Sequence, residues 1–187
     1  AFIWQCISLP SMESETKRTP QGSLFRLLRV SIVPVGLLAC GLFFMGQFAL
    51  FTYVRPFLES VTRVNASGLS WILLAIGIAG FVGTLLVSSA LNARFYLTLI
   101  LIPLLMAAIA GTLLLTAQSV WTVAFLLSLW GGLETAAPTG WWTWIARTLP
   151  DDAEAGGGLM VAVIQLSIAL GSTAGGLAFD ILGWRSA

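Results

Sequence analysis

SGLSWILLAIGIAGFVGTLLVSSAL (67–91), NAR (92–94) and FYLTLILIPLLMAAIAGTLLLT (95–116) decide the fold. Neither long run contains a charge. Each is long enough to cross a bilayer as a helix, which takes about 20 mainly apolar residues. The interruption between them is short and carries Asn92 and Arg94. Short connections make consecutive helices antiparallel neighbours. The stretch therefore reads as two spanning helices joined by a tight turn, with lipid as the outer solvent.

Working outward, three more segments read the same way. Residues 30–57 have no charge before Arg55, residues 120–148 have a single acid, Glu134, in their middle, and residues 157–182 are uncharged until Asp180. The expected architecture is thus all-α: five transmembrane helices at about 30–57, 67–91, 95–116, 120–148 and 157–182. The opening AFIWQCISL reads as the tail of a preceding helix, and the polar residues 11–29 as a water-exposed linker. Residues 1–29 and 30–187 are accordingly the two expected units. The whole composition agrees. Of 187 residues 58% are hydrophobic and 9% charged, against about 25% charged in a soluble domain.

Several function classes lose support at once. There is no histidine, which removes Ser-His catalysis and His-assisted metal binding. No Gly-rich phosphate loop or cysteine pair is evident, so no enzyme activity, cofactor or metal is expected. Cys6 and Cys40 sit in apolar stretches and read as buried thiols. A net charge of +1 argues against nucleic acid as a partner. Lys/Arg bias sets orientation. One side of the expected topology holds Lys17, Arg18, Arg26, Arg29, Arg94 and Arg147, and the other holds Arg55, Arg63 and Arg185. The richer side, with the linker and the 149–156 loop, is expected in the cytoplasm.

Glycines at 36, 41 and 46, at 77, 80 and 83, and at 171, 175 and 176 suit close helix contact in lipid. The run 95–116 has Thr98, Thr112 and Thr116 as its polar members. A helix hydroxyl satisfies itself on its own backbone, so this is expected to be the most lipid-exposed helix. Trp141, Trp142 and Trp144 crowd one end of their segment and read first as an interfacial aromatic belt, with cargo stacking on Trp141 as the sharper alternative. Trp121 and Trp184 suit a belt at the other face.

GQFALFTYVRPFLE (46–59) and the stretch WTWIARTLPDDAEAGGGLMVAVIQLSIALGSTAGGLAFDILGWR (142–185) resemble the major facilitator superfamily. They look most like its drug–proton antiporter branch, which includes bacterial purine ribonucleoside efflux pumps and sugar efflux transporters. The similarity covers residues 2–185. It implies that the five helices are the seventh to eleventh of twelve, a partial C-terminal half. It also implies a multi-pass protein of the bacterial inner membrane that works with an N-terminal half missing here. Substrate near the midplane between two halves follows from that architecture, as does export of a small organic molecule in exchange for protons. Facilitated diffusion, uptake and a non-functional remnant remain the alternatives. Where the purine exporters have a neutral stretch, this chain reads WGGLETAAPTGWWTW, departing at Glu134 and Trp142.

A transporter needs a group that gains and loses a proton. Glu134 lies fourteen positions after Val120 and fourteen before Thr148, about 20 Å from either end at 1.5 Å per residue. An ionised side chain there is costly, and such residues usually mark ion or substrate paths. It is read as the proton-coupling residue, or else as a neutral acid bonded to a neighbouring helix. Trp130, Glu134, Pro138 and Trp141 fall on one helical stripe. Gln47, with Phe44 and Phe51 on its face, and Gln165, with Ser172 beyond it, are candidate substrate contacts. Either amide also suits an interhelical hydrogen bond. The expected substrate set is therefore Gln47, Phe51, Trp130, Trp141 and Gln165. Arg55 and Asp180 are candidate gate residues. Arg55 would pair with Asp180 or Glu59, or else reach out to water, and Asp180 reads also as an exposed terminal acid.

Overall fold

The computed structural model describes residues 24–182, and every regular element among them is an α-helix. The expected leading helix tail with Cys6, the charges Lys17 and Arg18, and the terminal Trp184 and Arg185 lie outside the described residues. In chain order the helices are α1 (Leu24–Leu28), α2 (Ile32–Phe51), α3 (Val54–Ser60), α4 (Ala66–Thr116), α5 (Val120–Thr148) and α6 (Ala153–Leu182).

Four segments are long and apolar enough to cross a membrane: Ile32–Ser60, Ala66–Thr116, Val120–Thr148 and Ala153–Ile181. The sequence reading counts five, and the difference lies entirely in α4. Its 51 residues would run about 75 Å if straight, against a hydrocarbon core of about 30 Å. Arg94 breaks it, with φ −149° and ψ 75°. The chain turns back there: the Thr98 hydroxyl donates to the carbonyls of both Arg94 (3.0 Å) and Ala90 (3.1 Å). Leu91 and Leu99, one from each arm, both crowd Gly140 of α5. α4 is thus two packed arms, 66–93 and 95–116. Asn65 opens the first by accepting from the Gly68 amide at 2.8 Å, an N-cap that satisfies an otherwise orphaned donor.

The run expected to continue to Phe57 instead stops at Phe51, and α3 begins after Thr52 and Tyr53. Pro56 is the cause: it has no N–H for the Thr52 carbonyl, and its ring clashes there. Tyr53 secures the break, donating to the Ser172 carbonyl at 3.1 Å and stacking on Phe179 at 5.5 Å. At the other end, Leu24–Leu28 form a short helix inside the expected linker, with Leu27 buried. α6 starts at Ala153 rather than Gly157, with Glu154 in its first turn, where an acid suits the helix dipole.

The helices associate as two pairs, α4 with α5 and α2 with α6. Missing side chains make each pairing possible. A Cβ on Gly83 would strike the Gly132 carbonyl, and one on Gly171 or Gly175 would strike the backbone of Met45 or Ala49. Contact between the pairs is thinner. Arg26 pairs with Asp152 at 3.3 Å, and Arg147 lies over Phe95 at 4.3 Å. These contacts gather α1, the Arg94 corner, the end of α5 and the start of α6 at one end of the bundle. The Thr62 hydroxyl, bonded to the Ala117 carbonyl at 2.9 Å, marks the opposite end.

The arm 95–116 buries one narrow stripe, Phe95, Ile102, Met106, Ile109 and Leu113, and exposes most of the rest. Its threonines bond to backbone carbonyls, Thr112 to Ala108 and Thr116 to Thr112.

Candidate functional site

The seam between the two helix pairs holds a small polar cluster. Trp130 and Glu134 lie one turn apart on α5, so the indole nitrogen donates to Glu134 Oε2 at 3.0 Å. Gln47, mid-way along α2, reaches the same oxygen from the other pair, its Nε2 at 3.5 Å. The second contact is at the long limit for a hydrogen bond, so the indole is the firmer partner. Two donors from two helices thereby converge on one carboxyl oxygen.

Gln47 is only 8% exposed, and its Oε1 is buried without a hydrogen-bond partner. An orphaned buried acceptor costs about 1–3 kcal/mol. The cluster therefore retains an unsatisfied acceptor beside a carboxyl group, an arrangement suited to a ligand that brings N–H or O–H groups.

Aromatic rings form the wall next to it. Trp141 lies 6.3 Å from Phe43 and 6.1 Å from Trp144, and Phe43 is edge-on to Phe44 at 5.3 Å. The tryptophan group does not act as one belt. Trp141 and Trp144 are buried, the latter against Gly36, where a Cβ would collide with its ring. Trp142 is 46% exposed and Trp121 is 86% exposed, and both face outward. Side-chain direction around a helix separates three neighbours that look equivalent in sequence.

The remaining expected residues lie apart from the cluster. Phe51 is half-buried at the end of α2 and packs on the core. Gln165 is exposed on α6, and no side-chain hydrogen bond holds it among the described residues. Arg55 bonds Glu59 at 2.9 Å, one turn along α3. Asp180 is exposed at the same end of the bundle, where Tyr53 meets Phe179, but is not the partner of Arg55. Sequence reasoning missed Tyr53 and Thr52, whose hydroxyl lies 3.0 Å from that of Ser172. Pro56 was the available signal that this level of the helix is broken.

The chain is 40% identical to a nucleoside efflux pump. That protein is the purine ribonucleoside efflux pump NepI of Salmonella paratyphi B, matched over 184 residues, 98% of this chain and 46% of the pump. The NepI of Salmonella enteritidis matches to the same extent. A transcription regulatory protein, OpdE of Pseudomonas aeruginosa, is 56% identical over 191 residues, covering 100% of this chain and 47% of that protein. The chain spans about half the length of the curated relatives it matches. No family model matches the chain, and no solved structure does. Similarity to an efflux pump agrees with several helices fit to cross a membrane.

Proposed function

We propose that the chain is one half of a major facilitator carrier that exports a small, flat organic molecule of nucleoside-like chemistry in exchange for protons. The observation that carries this reading is the seam cluster: Gln47 and Trp130 converging on Glu134, with Gln47 Oε1 left open. Glu134 holds and releases the proton. The Gln47 carboxamide and the rings of Trp130 and Trp141 take the cargo, with Phe51 and Gln165 completing the path once a second half closes over them. Arg55 and Asp180 sit at the far end as gate groups, Arg55 resting on Glu59 in this state. In this reading the two arms of α4 cross separately, giving five crossings. The end rich in Arg26, Arg94 and Arg147 faces the cytoplasm of a bacterial inner membrane.

The 40% identity to NepI supports the nucleoside-like cargo. The name of OpdE points elsewhere, but an apolar four-segment chain of net charge +1 offers little to the phosphate backbone of DNA. A second half is part of the proposal because midplane sites of this kind lie between two repeats. By itself the chain is expected to give no saturable flux in vesicles.

Everted vesicles containing the complete carrier, a labelled purine ribonucleoside and an imposed pH gradient test the reading. Glu134→Gln keeps the shape and removes the titrating group. Uphill accumulation is expected to disappear while energy-independent exchange survives, and Glu134→Asp is expected to retain part of the coupling. If the Gln variant still drives accumulation at the parental rate and pH profile, Glu134 is a packing residue and the proposal fails.

A further inference from the structure

The two arms of α4 and the face of α5 turned away from Glu134 enclose an open groove of about 630 Å³. Its walls are aliphatic, among them Leu86, Ile102, Leu105, Leu129 and Leu133. The hydroxyls that reach it are already committed: Thr98 to Arg94 and Ala90, Thr112 to Ala108, and Ser128 to Ala124. Nothing in the groove calls for a polar ligand. It runs along 79–90 on one arm and 98–112 on the other, about 16 Å and 21 Å at helical rise. That is close to the depth of one leaflet, half of a core about 30 Å thick.

The charge sits at one mouth. Arg94 occupies the corner between the two arms, four residues from both Ala90 and Thr98 of the groove lining. Arg147 adds a second guanidinium, 4.3 Å over the ring of Phe95, the residue after Arg94. Both side chains belong to exposed residues. Among the described residues the ion pairs are Arg26 with Asp152 and Arg55 with Glu59, so no carboxylate within 4.0 Å neutralises Arg94 or Arg147.

We propose that this groove holds an acyl chain of an anionic phospholipid drawn from the bilayer, with the phosphate headgroup seated against Arg94 and Arg147. Guanidinium groups match phosphate oxygens in geometry and charge. Basic pockets between membrane helices are the expected seat of anionic headgroups. The inference rests on the chain crossing a membrane and uses nothing of the transport reading.

Native mass spectrometry of the purified chain in detergent tests it, titrating dioleoyl phosphatidylglycerol against dioleoyl phosphatidylcholine. Tighter retention of phosphatidylglycerol is expected. The Arg94→Gln/Arg147→Gln pair is expected to weaken that retention by about 30-fold, to the level of phosphatidylcholine. Ala108→Trp, which fills the groove, is expected to weaken both lipids. Equal retention of the two lipids by the parent chain overturns the proposal, and that comparison needs no variant to fold. Full phosphatidylglycerol binding by Ala108→Trp also overturns it, because the headgroup alone is then held on the surface. A stoichiometric dimer that excludes the lipid assigns the groove to protein and has the same effect. None of these readouts involves cargo, so their failure is separate from failure of the carrier reading.

Discussion

The two faces of α5 follow different rules, although both are read from the same 29 residues. Towards α2, Glu134 meets the Gln47 amide and Trp141 meets Phe43 across the seam, while Trp130 bonds Glu134 along its own helix. Towards α4, Leu129, Gly132, Leu133 and Ala136 line an apolar groove beside a backbone contact at Gly83. On that side Ser128 closes on its own helix at 2.7 Å, and Thr135 shares its hydroxyl between its own helix and the Gly80 carbonyl of α4, 2.9 Å away. A short hydroxyl can be satisfied on its own helix backbone and then makes little demand on a neighbour. The Gln47 amide and the Glu134 carboxyl instead meet across the seam. In lipid, where water is no alternative, polar groups without a partner on their own helix are driven to pair at helix contacts.

The largest way to break the contrast is Gly83→Leu on the packing side. Its side chain would have to enter the space of the Gly132 backbone, a displacement expected to cost about 1–3 kcal/mol or more. A fall in melting temperature of the detergent-solubilised chain checks this. An unchanged melting temperature would mean that α4 and α5 do not meet at Gly83.

On the recognition side, Trp130→Phe keeps an aromatic ring and deletes the donor to Glu134. The expected loss is about 1–2 kcal/mol, read by the same melting experiment. In the complete carrier it should also shift the pH profile of exchange, which loss of packing alone would not do.

Gln47→Leu sharpens the contrast further, because stability and function are expected to diverge. It removes an orphaned acceptor together with one long hydrogen bond. The chain is expected to melt at the parental temperature or up to about 1 kcal/mol more stable, while cargo binding by the complete carrier falls. A clear loss of stability would show that Gln47 is an ordinary structural amide.

Thr112→Val on the groove side is the smallest change. The hydroxyl serves its own backbone at 2.8 Å, so melting is expected to stay within about 0.5 kcal/mol of the parent. A larger drop would reveal a partner for Thr112 outside its own helix.

Much of this was legible in the residues. The apolar runs mark where helices lie, the Arg94 interruption divides the longest of them, and an isolated Glu134 among neutral residues stands out because charge is expensive at that depth. Helix ends were less legible. Pro56 signals a break, but only the Tyr53 contacts with Ser172 and Phe179 show how the broken level is held against α6. Of the three neighbouring tryptophans, the belt reading fits Trp142 and not the buried Trp141 and Trp144, because proximity along the chain says nothing about which way each ring points around the helix.

Sequence alone determined what depends on local composition: helical spans suited to lipid, the division of α4 at Arg94, and a costly acid in mid-helix. Tertiary structure decided which helices touch and which residues share a space. Gln47 and Glu134 are 87 residues apart, and no periodicity in either run encodes that meeting. The pairing of α2 with α6 and of α4 with α5 depends on glycines placed opposite backbone rather than on hydrophobicity, which is high in all four spans. Packing in lipid is won by shape and by satisfied polar groups, and both are properties of the assembled bundle rather than of any one segment.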